Sequence, residues 1–403
     1  SAASDVYKRQ GAVRAVRERA RASARAGRCP RCKPDQRATA ARENRAVSAD
    51  NPTLPERVRA EARHVAQSLR TFGPARGKRR PLALQAALAM TVPIVVLAAL
   101  GYDRLALLAA TGAFTVIYGG WLRPRERARF APLVSLALFA CAAAGVLAAG
   151  GGSAVVLVGV LVLTVASAAA VGWVSLGPPG PIFFVLVFGL SAQVTGLRDG
   201  VRAVDPWVYL AVVAGSSVFA CLLVAVPLVM PRYRREPARA LRELFPRRWG
   251  AVARTLTARA AIVAVVGVAA AVIVDPHRSY WIVCSGLAVV GMPVGRRDAA
   301  TRGIHRTAGT LVGAALYLVL AFLPLPVWAL GVVLGLLQFA IELVVVRHYA
   351  LALVFITPLV LLIIGAATGD AASMPLAFER VVDTLVGAAI GTAAALAVRL
   401  RLD

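Results

Sequence analysis

Glu342 stands inside an apolar run, one helical turn after Gln338, so the two share a helix face, and neither side chain belongs in lipid. A carboxylate so placed could take up a proton, or pair with an inner-side arginine during a transport cycle. The blander reading puts it within about 6 Å of the inner end of its helix, close enough to reach water. Arg302 and Arg306 are four residues apart and share a second face. With Arg296 and Arg297 they form a basic cluster that either collects anions at a cytoplasmic mouth or anchors the helix to headgroups, and His305 beside them is expected to be interfacial and exposed. Arg347 and Tyr349 open the next apolar run, where Thr357-Pro358 predicts a kink that frees a backbone carbonyl for a cavity, although simple packing would explain Pro358 equally well. In the last run Glu379, Arg380 and Asp383 fall within one turn near the expected outer end. There Asp383 could reach Arg278 or His277, as a structural latch rather than a gate.

Signals for enzymatic chemistry are missing. The chain has no HExxH, no GxxxxGK[ST], no GxSxG and no GxGxxG after a strand, so no catalytic residue, cofactor or metal is expected. Energy from ATP would need a separate subunit. Cys141, Cys221 and Cys284 lie in apolar runs and read as small core residues. Cys29 and Cys32 form a lone CxxC, and His64 is the only nearby candidate for a further zinc ligand, so a metal role is not expected there.

The elements that carry these residues are membrane helices. Hydrophobic residues make up 59% of the 403, mean hydropathy is +0.70 and 16% of residues are charged, which argues against a soluble globule. Apolar runs near the roughly 20 residues that span a bilayer recur at about 82–100, 105–120, 131–149, 154–173, 181–196 and 207–230. They recur again at about 258–274, 280–294, 307–322, 327–346, 349–366 and 378–398. The expected fold is therefore all-α, with about twelve transmembrane helices in two six-helix bundles, over residues 81–230 and 258–403. A basic connector, 231–257, joins them. Residues 1–80 are expected to be a disordered basic extension with a short amphipathic helix near 55–72. The chain begins with Ser and has no Met before Met90, which leaves the true start open. Gly150-Gly151-Gly152-Ser153 predicts a tight turn, and Pro178-Pro179-Gly180-Pro181 a firm break, because consecutive prolines cannot continue a helix. Gly309 and Gly313, like Gly387 and Gly391, have the spacing that lets two helix backbones approach closely.

The net charge of +26 is placed as membrane topology requires. Residues 1–80 hold 21 Lys or Arg against 7 Asp or Glu, and the rest of the excess falls in alternate loops: +3 at 121–130, +7 at 231–259 and +3 at 295–306. Every strongly basic segment lies on one side of a twelve-helix scheme, which places both termini in the cytoplasm and makes nucleic acid an unexpected partner. The halves also echo each other. Thr195-Gly196 closes the fifth run as Thr368-Gly369 closes the eleventh, and Gly112 falls at nearly the same offset as Gly286, as in a parallel repeat.

A resemblance sharpens the function. Tyr280-Trp281, Arg302, Arg306, Gly309-Thr310 and Gly313, followed by Arg347-His348-Tyr349-Ala350, Phe355 and Thr357-Pro358, resemble the core of the fusaric-acid-resistance type of membrane transporter, a group that includes plant aluminium-activated malate transporter-like anion channels. Many relatives have Asn before the Tyr, where this chain has His348. The resemblance covers about 250–400 well and 81–230 weakly. It implies a multi-pass protein of a bacterial cell (inner) membrane that exports small organic anions, aromatic or other carboxylates, with the lipid bilayer, the anion and either a second copy or accessory efflux subunits as partners. Arg302, Arg306, Gln338, Glu342, Arg347, Tyr349, Thr357 and Asp383 are the candidates for its path. A passive organic-anion channel, or a non-transporting scaffold whose basic segments bind anionic lipid or a partner protein, would use the same architecture.

Overall fold

The computed structural model describes residues 54–74, 79–198, 201–368 and 374–400. The segment before Leu54, with Cys29 and Cys32, lies outside the described residues, as do Gly369 and Asp370. Helix α1, Leu54–Ser68, belongs to a first compact unit and presents Glu56, Arg59, Glu61 and Arg63 as exposed side chains. Residues from Leu69 onward form the second unit, which holds all the apolar runs.

In that unit α2, Arg80–Ala99, is followed by a broken segment made of Asp103–Ala106, a 3-10 stretch Leu107–Ala113 and Phe114–Ile117. Then come α3, Pro124–Gly150; α4, Gly152–Trp173; α5, Ile182–Thr195; a two-residue hairpin of β1, Leu197–Arg198, and β2, Val201–Arg202; and α6, Pro206–Ala225. The second set is α7, Ala251–Val274; α8, Ser279–Val290; α9, Arg296–Ala321; α10, Val327–Val344; α11, Tyr349–Thr368; and α12, Met374–Ala397. Local chemistry sets several of these boundaries. Pro206 occupies the first turn of α6, and the Asp205 carboxylate accepts from the Trp207 and Val208 amides. Between α3 and α4 the chain turns at Gly152, with φ of +78°, a conformation that costs glycine little.

Among the described residues, eight helices are long and apolar enough to cross a membrane: α2, α3, α4, α6 with its 3-10 extension to Val229, α7, α9, α10 and α12. The other four expected spans behave differently. Helix α11, 20 residues in all, is apolar over Tyr349–Gly365, α5 has 14 residues, α8 has 12, about 18 Å of helix, and Asp103–Ile117 is interrupted by its 3-10 stretch. These short pieces are heavily buried: every residue from Leu107 to Ala113 is buried, as is all of α8 except Ala288. Shielded by protein, they need not match the hydrocarbon thickness, and a broken backbone there is tolerated.

The same helix pairs recur in the two sets of six. The third packs on the fifth (α3 on α5, α9 on α11), the second on the sixth (Leu107–Ala113 on α6, α8 on α12) and the third on the sixth. Gly112 and Gly286, expected to correspond, occupy matching places. A Cβ at Gly112 would strike Ser216 and Ser217 of α6, and one at Gly286 would lie 3.1 Å from the Gly387 carbonyl of α12. Yet the sets are joined into one unit, because the first helix of each packs on the fourth of the other, α2 on α10 and α4 on α7. Small residues make these crossings possible. A Cβ at Gly331 would sit 2.6 Å from Ile94, one at Gly335 would collide with Thr91, and one at Gly172 would come within 3.0 Å of Ala253 Cα.

The connector is built onto this frame. Buried Glu126, in the first turn of α3, accepts the side chain of Arg239 at 2.9 and 3.2 Å and its amide at 3.2 Å, and it pushes the exposed Arg239 guanidinium further above its ordinary pKa. Arg123 and Arg125 donate to the Pro237 and Glu236 carbonyls. Overpacking a close crossing costs about 1–3 kcal/mol, so Gly335→Leu should lower the melting temperature in detergent, while Gly215→Ala, with nothing within 4 Å of its Cβ position, should leave it unchanged.

Candidate functional site

Arg306 lies within helix α9, which begins at Arg296 rather than near 307 and therefore carries the guanidinium about 15 Å from its start. The residue is 4% exposed; Nη1 donates to the Tyr349 hydroxyl of α11 at 3.2 Å and Nη2 to Ser285 Oγ of α8 at 3.3 Å, while Nε has no hydrogen-bond partner among the described residues. Arg302, one turn earlier, is half-buried with its guanidinium 5.7 Å from the Tyr349 ring centre. Gly309 and Gly313 make this geometry: a Cβ at Gly309 would collide with the Ala350 carbonyl, and one at Gly313 would lie 2.7 Å from Thr357 Cβ. Thr357 is thus a packing residue against α9, and Tyr349 reaches Arg306 because the two backbones nearly touch.

Arg380 is a buried arginine that the sequence analysis leaves out of the candidate path. Helix α12 starts at Met374, so Arg380 is about 9 Å into it, 5% exposed, with its guanidinium 4.0 Å from the Trp281 ring centre. Its Nε and Nη1 have no hydrogen-bond partner among the described residues, and it stands within electrostatic range of Arg306, Asp383 and Cys284. Gly387 and Gly391 set this placement by letting α12 ride on α8: a Cβ at Gly391 would be 2.6 Å from the Gly286 carbonyl. The available signal was a lone arginine several residues inside a membrane run. It was hidden by drawing the start of that run four residues late. Tyr280 and Trp281 are buried around this point, with the Tyr280 hydroxyl bonded to Gln193.

Glu342 and Gln338 meet as their spacing predicts, with Gln338 Nε2 donating to Glu342 Oε1 at 3.3 Å, both side chains being buried. The carboxylate does not reach open water; Arg79, just before α2, donates to Oε2 at 3.1 Å. Arg127 of α3 is also within electrostatic range and donates to Gln85 Oε1 at 2.5 Å and the Val116 carbonyl at 2.6 Å. Arg127 had been counted as a loop charge, as had Arg259. The Arg259 side chain is fully buried in α7 and donates to the Val294, Ala395 and Val398 carbonyls.

Arg347 belongs to neither cluster. Its Nε donates to the Gly73 carbonyl at 3.2 Å and its own carbonyl accepts the Gly73 amide at 2.8 Å. Next to it, His348 Nδ1 accepts the Leu351 amide at 3.0 Å, which leaves Nε2 as the donor to the Leu69 carbonyl at 3.0 Å. His305 is buried, not exposed, and its ring lies parallel to that of His348 with centres 6.1 Å apart. Asp383, 1% exposed, chooses Arg278 at 3.9 Å as its outer partner, and Arg278 in turn holds Glu379 at 2.9 Å and Asp275 at 3.1 Å. Among the described residues no group of three His, Cys, Asp or Glu could hold a metal ion.

Eight membrane-length helices around buried arginines define a multi-pass helical membrane protein. The pattern of the fusaric acid resistance protein-like family matches residues 255–394, about a third of the chain, which contain both Arg306 and Arg380. The chain is also 37% identical over 117 residues to the uncharacterized membrane protein YvaC of Bacillus subtilis (strain 168), a match covering 28% of this chain and 18% of that protein. The chain therefore spans about a fifth of that relative's length. No solved structure matches it.

Breaking a buried ion pair destabilises because one charge is left without its partner. Glu342→Ala should cost about 2 kcal/mol, less than for a fully buried pair because the Arg79 side chain stays 25% exposed, whereas Arg79→Ala with Glu342→Ala should cost less than Glu342→Ala alone. Thermal melting of the two variants in detergent checks this.

Proposed function

We propose that this protein carries small organic anions, aromatic or other carboxylates, across the membrane, and that the anion is held between Arg306 and Arg380. The single observation behind this reading is the pair of buried guanidiniums, on different helices, within each other's field and with N–H donors unused. Two like charges in a low-dielectric interior repel, and each unused donor adds a desolvation cost. An anion between them relieves both. Ser285 and Tyr349 contact Arg306, the Trp281 ring contacts Arg380, and together they supply hydroxyl and aromatic groups suited to a planar carboxylate.

In this reading the eight long helices, α11 and the three short elements make twelve membrane passes in two interlocked sets of six, with both termini cytoplasmic in a bacterial inner membrane. Transport is outward. Glu342 then serves as a structural partner of Arg79 rather than as the proton carrier, since its carboxylate is already held by a guanidinium and an amide.

The test is flux of labelled organic acids in liposomes containing the purified protein, with imposed potential and pH gradients. A hydrogen bond to a charged group is worth about 1.5–3 kcal/mol, so Arg306→Gln and Arg380→Gln should each weaken anion handling roughly ten- to hundredfold, and Arg347→Gln, outside the cluster, should change it little. No flux of any acid through folded protein would favour the scaffold. Flux unaffected by either arginine substitution would move the path elsewhere in the bundle.

A further inference from the structure

The buried end of α12 holds a second incomplete interaction. Asp383 follows Arg380 by three residues, on the same helix face and within its electrostatic range. One carboxylate oxygen, Oδ2, faces Arg278 at 3.9 Å, but Arg278 already has two nearer acids, Glu379 at 2.9 Å and Asp275 at 3.1 Å. The other oxygen, Oδ1, has no hydrogen-bond partner among the described residues, and neither do Nε and Nη1 of Arg380. Two opposite charges, each at least 95% buried, thus lie side by side with neither fully satisfied. Buried charges are normally paired or hydrogen-bonded throughout, so an arrangement of this kind marks a place where something else binds.

Two different ligands would complete it. A guanidinium takes a carboxylate, and a carboxylate beside a second carboxylate takes a proton. We propose that Asp383 is a proton site linked to the anion site: charged, it occupies the field of Arg380; protonated, it gives Arg380 up to the incoming anion, so that anion and proton bind together. This inference rests on the reading of Arg306 and Arg380 as the anion site. The charged and titratable groups around Asp383 are Arg278 and Asp275 before α8, and Glu379 and Arg380 on α12. Arg278 and Arg380 oppose protonation, and the two acids favour it. Asp383 therefore acts as a positioning residue through Arg380 and does not itself touch the anion.

The experiment is calorimetric titration of purified full-length protein in lipid nanodiscs with benzoate, between about pH 5.5 and 8, where the ligand remains an anion. For the unaltered protein, affinity should rise on the order of tenfold as pH falls, within the usual range of site-to-site coupling. Asp383→Asn should bind benzoate as tightly as the unaltered protein does at its lowest pH, with no dependence on pH. Arg278→Gln, which removes a charge that opposes protonation, should keep the dependence and move its midpoint to higher pH. It carries the test should Asp383→Asn fail to fold by melting. A flat profile in the unaltered protein, an unshifted midpoint in Arg278→Gln, or the full dependence persisting in Asp383→Asn would each overturn the linkage while leaving the anion site standing. No binding to any folded form would overturn the anion site and the linkage with it.

Discussion

Burying a guanidinium where no water can follow is the constraint on which the rest of this structure depends. Among the described residues four arginines are placed this way, and each is answered from other elements of the bundle. Arg259 takes three carbonyls at the ends of α8 and α12, Arg127 takes Gln85 and the Val116 carbonyl, Arg306 takes Ser285 and Tyr349, and Arg380 lies on the face of Trp281. Such partners must come within about 3 Å, and helices with large side chains at their crossings could not bring them so near. The glycines at 286, 309, 387 and 391 are therefore part of the electrostatics as much as of the packing. Arg259, with its three carbonyls, and Arg127, within electrostatic range of Glu342, hold the frame. Arg127, Arg306 and Arg380 each keep an Nε–H without a hydrogen-bond partner among the described residues, and what sets Arg306 and Arg380 apart is that each lies in the field of the other.

The internal repeat distributes these roles unevenly. In the first set Gln85 of α2 reaches the Leu223 carbonyl near the end of α6 at 3.0 Å; in the second, Arg259 of α7 reaches the carbonyls at the end of α12. The same pair of helices is thus stapled in the same manner by an amide in one half and a guanidinium in the other. In the half matched by the fusaric acid resistance protein-like family, the buried arginines lie on α7, α9 and α12. The first half supplies Arg79, Gln85 and Arg127, which engage or surround Glu342 of α10 and so fasten the two sets to each other.

Much of this was legible in the sequence, and the gaps have a common cause. Apolar run length gave the long helices, glycine spacing gave the α9–α11 and α8–α12 crossings, and the Gln338–Glu342 spacing gave a true contact. The runs at 131 and 307 are begun just past an arginine, however, and Arg259 is counted among the loop charges, on the rule that charge lies in loops. That rule holds for an arginine facing lipid and fails for one whose hydrogen bonds are completed by other helices. So α3, α7, α9 and α12 all begin earlier than expected, and Arg127, Arg259, Arg306 and Arg380 move from the rim into the interior. The short second element of each set was equally invisible, since α8 and Leu107–Ala113 are as apolar as true spans and only their burial on every side permits their length. His305 was misplaced for a similar reason: its neighbours in sequence are basic, but its neighbour in space is His348.

The crossing of α2 on α10 and of α4 on α7 has a consequence for how the chain is made. A membrane protein is threaded into the bilayer from its N-terminus, so α2 and α4 arrive when the helices they will finally lie against do not yet exist. Through that interval lipid must cover the notch around Thr91 and Ile94 that later receives Gly331 and Gly335. Arg79 and Arg127 must wait at the membrane boundary for Glu342. Assembly is therefore late and concerted: the first six elements have no finished form of their own, and a chain stopped before α10 would be inserted but not folded.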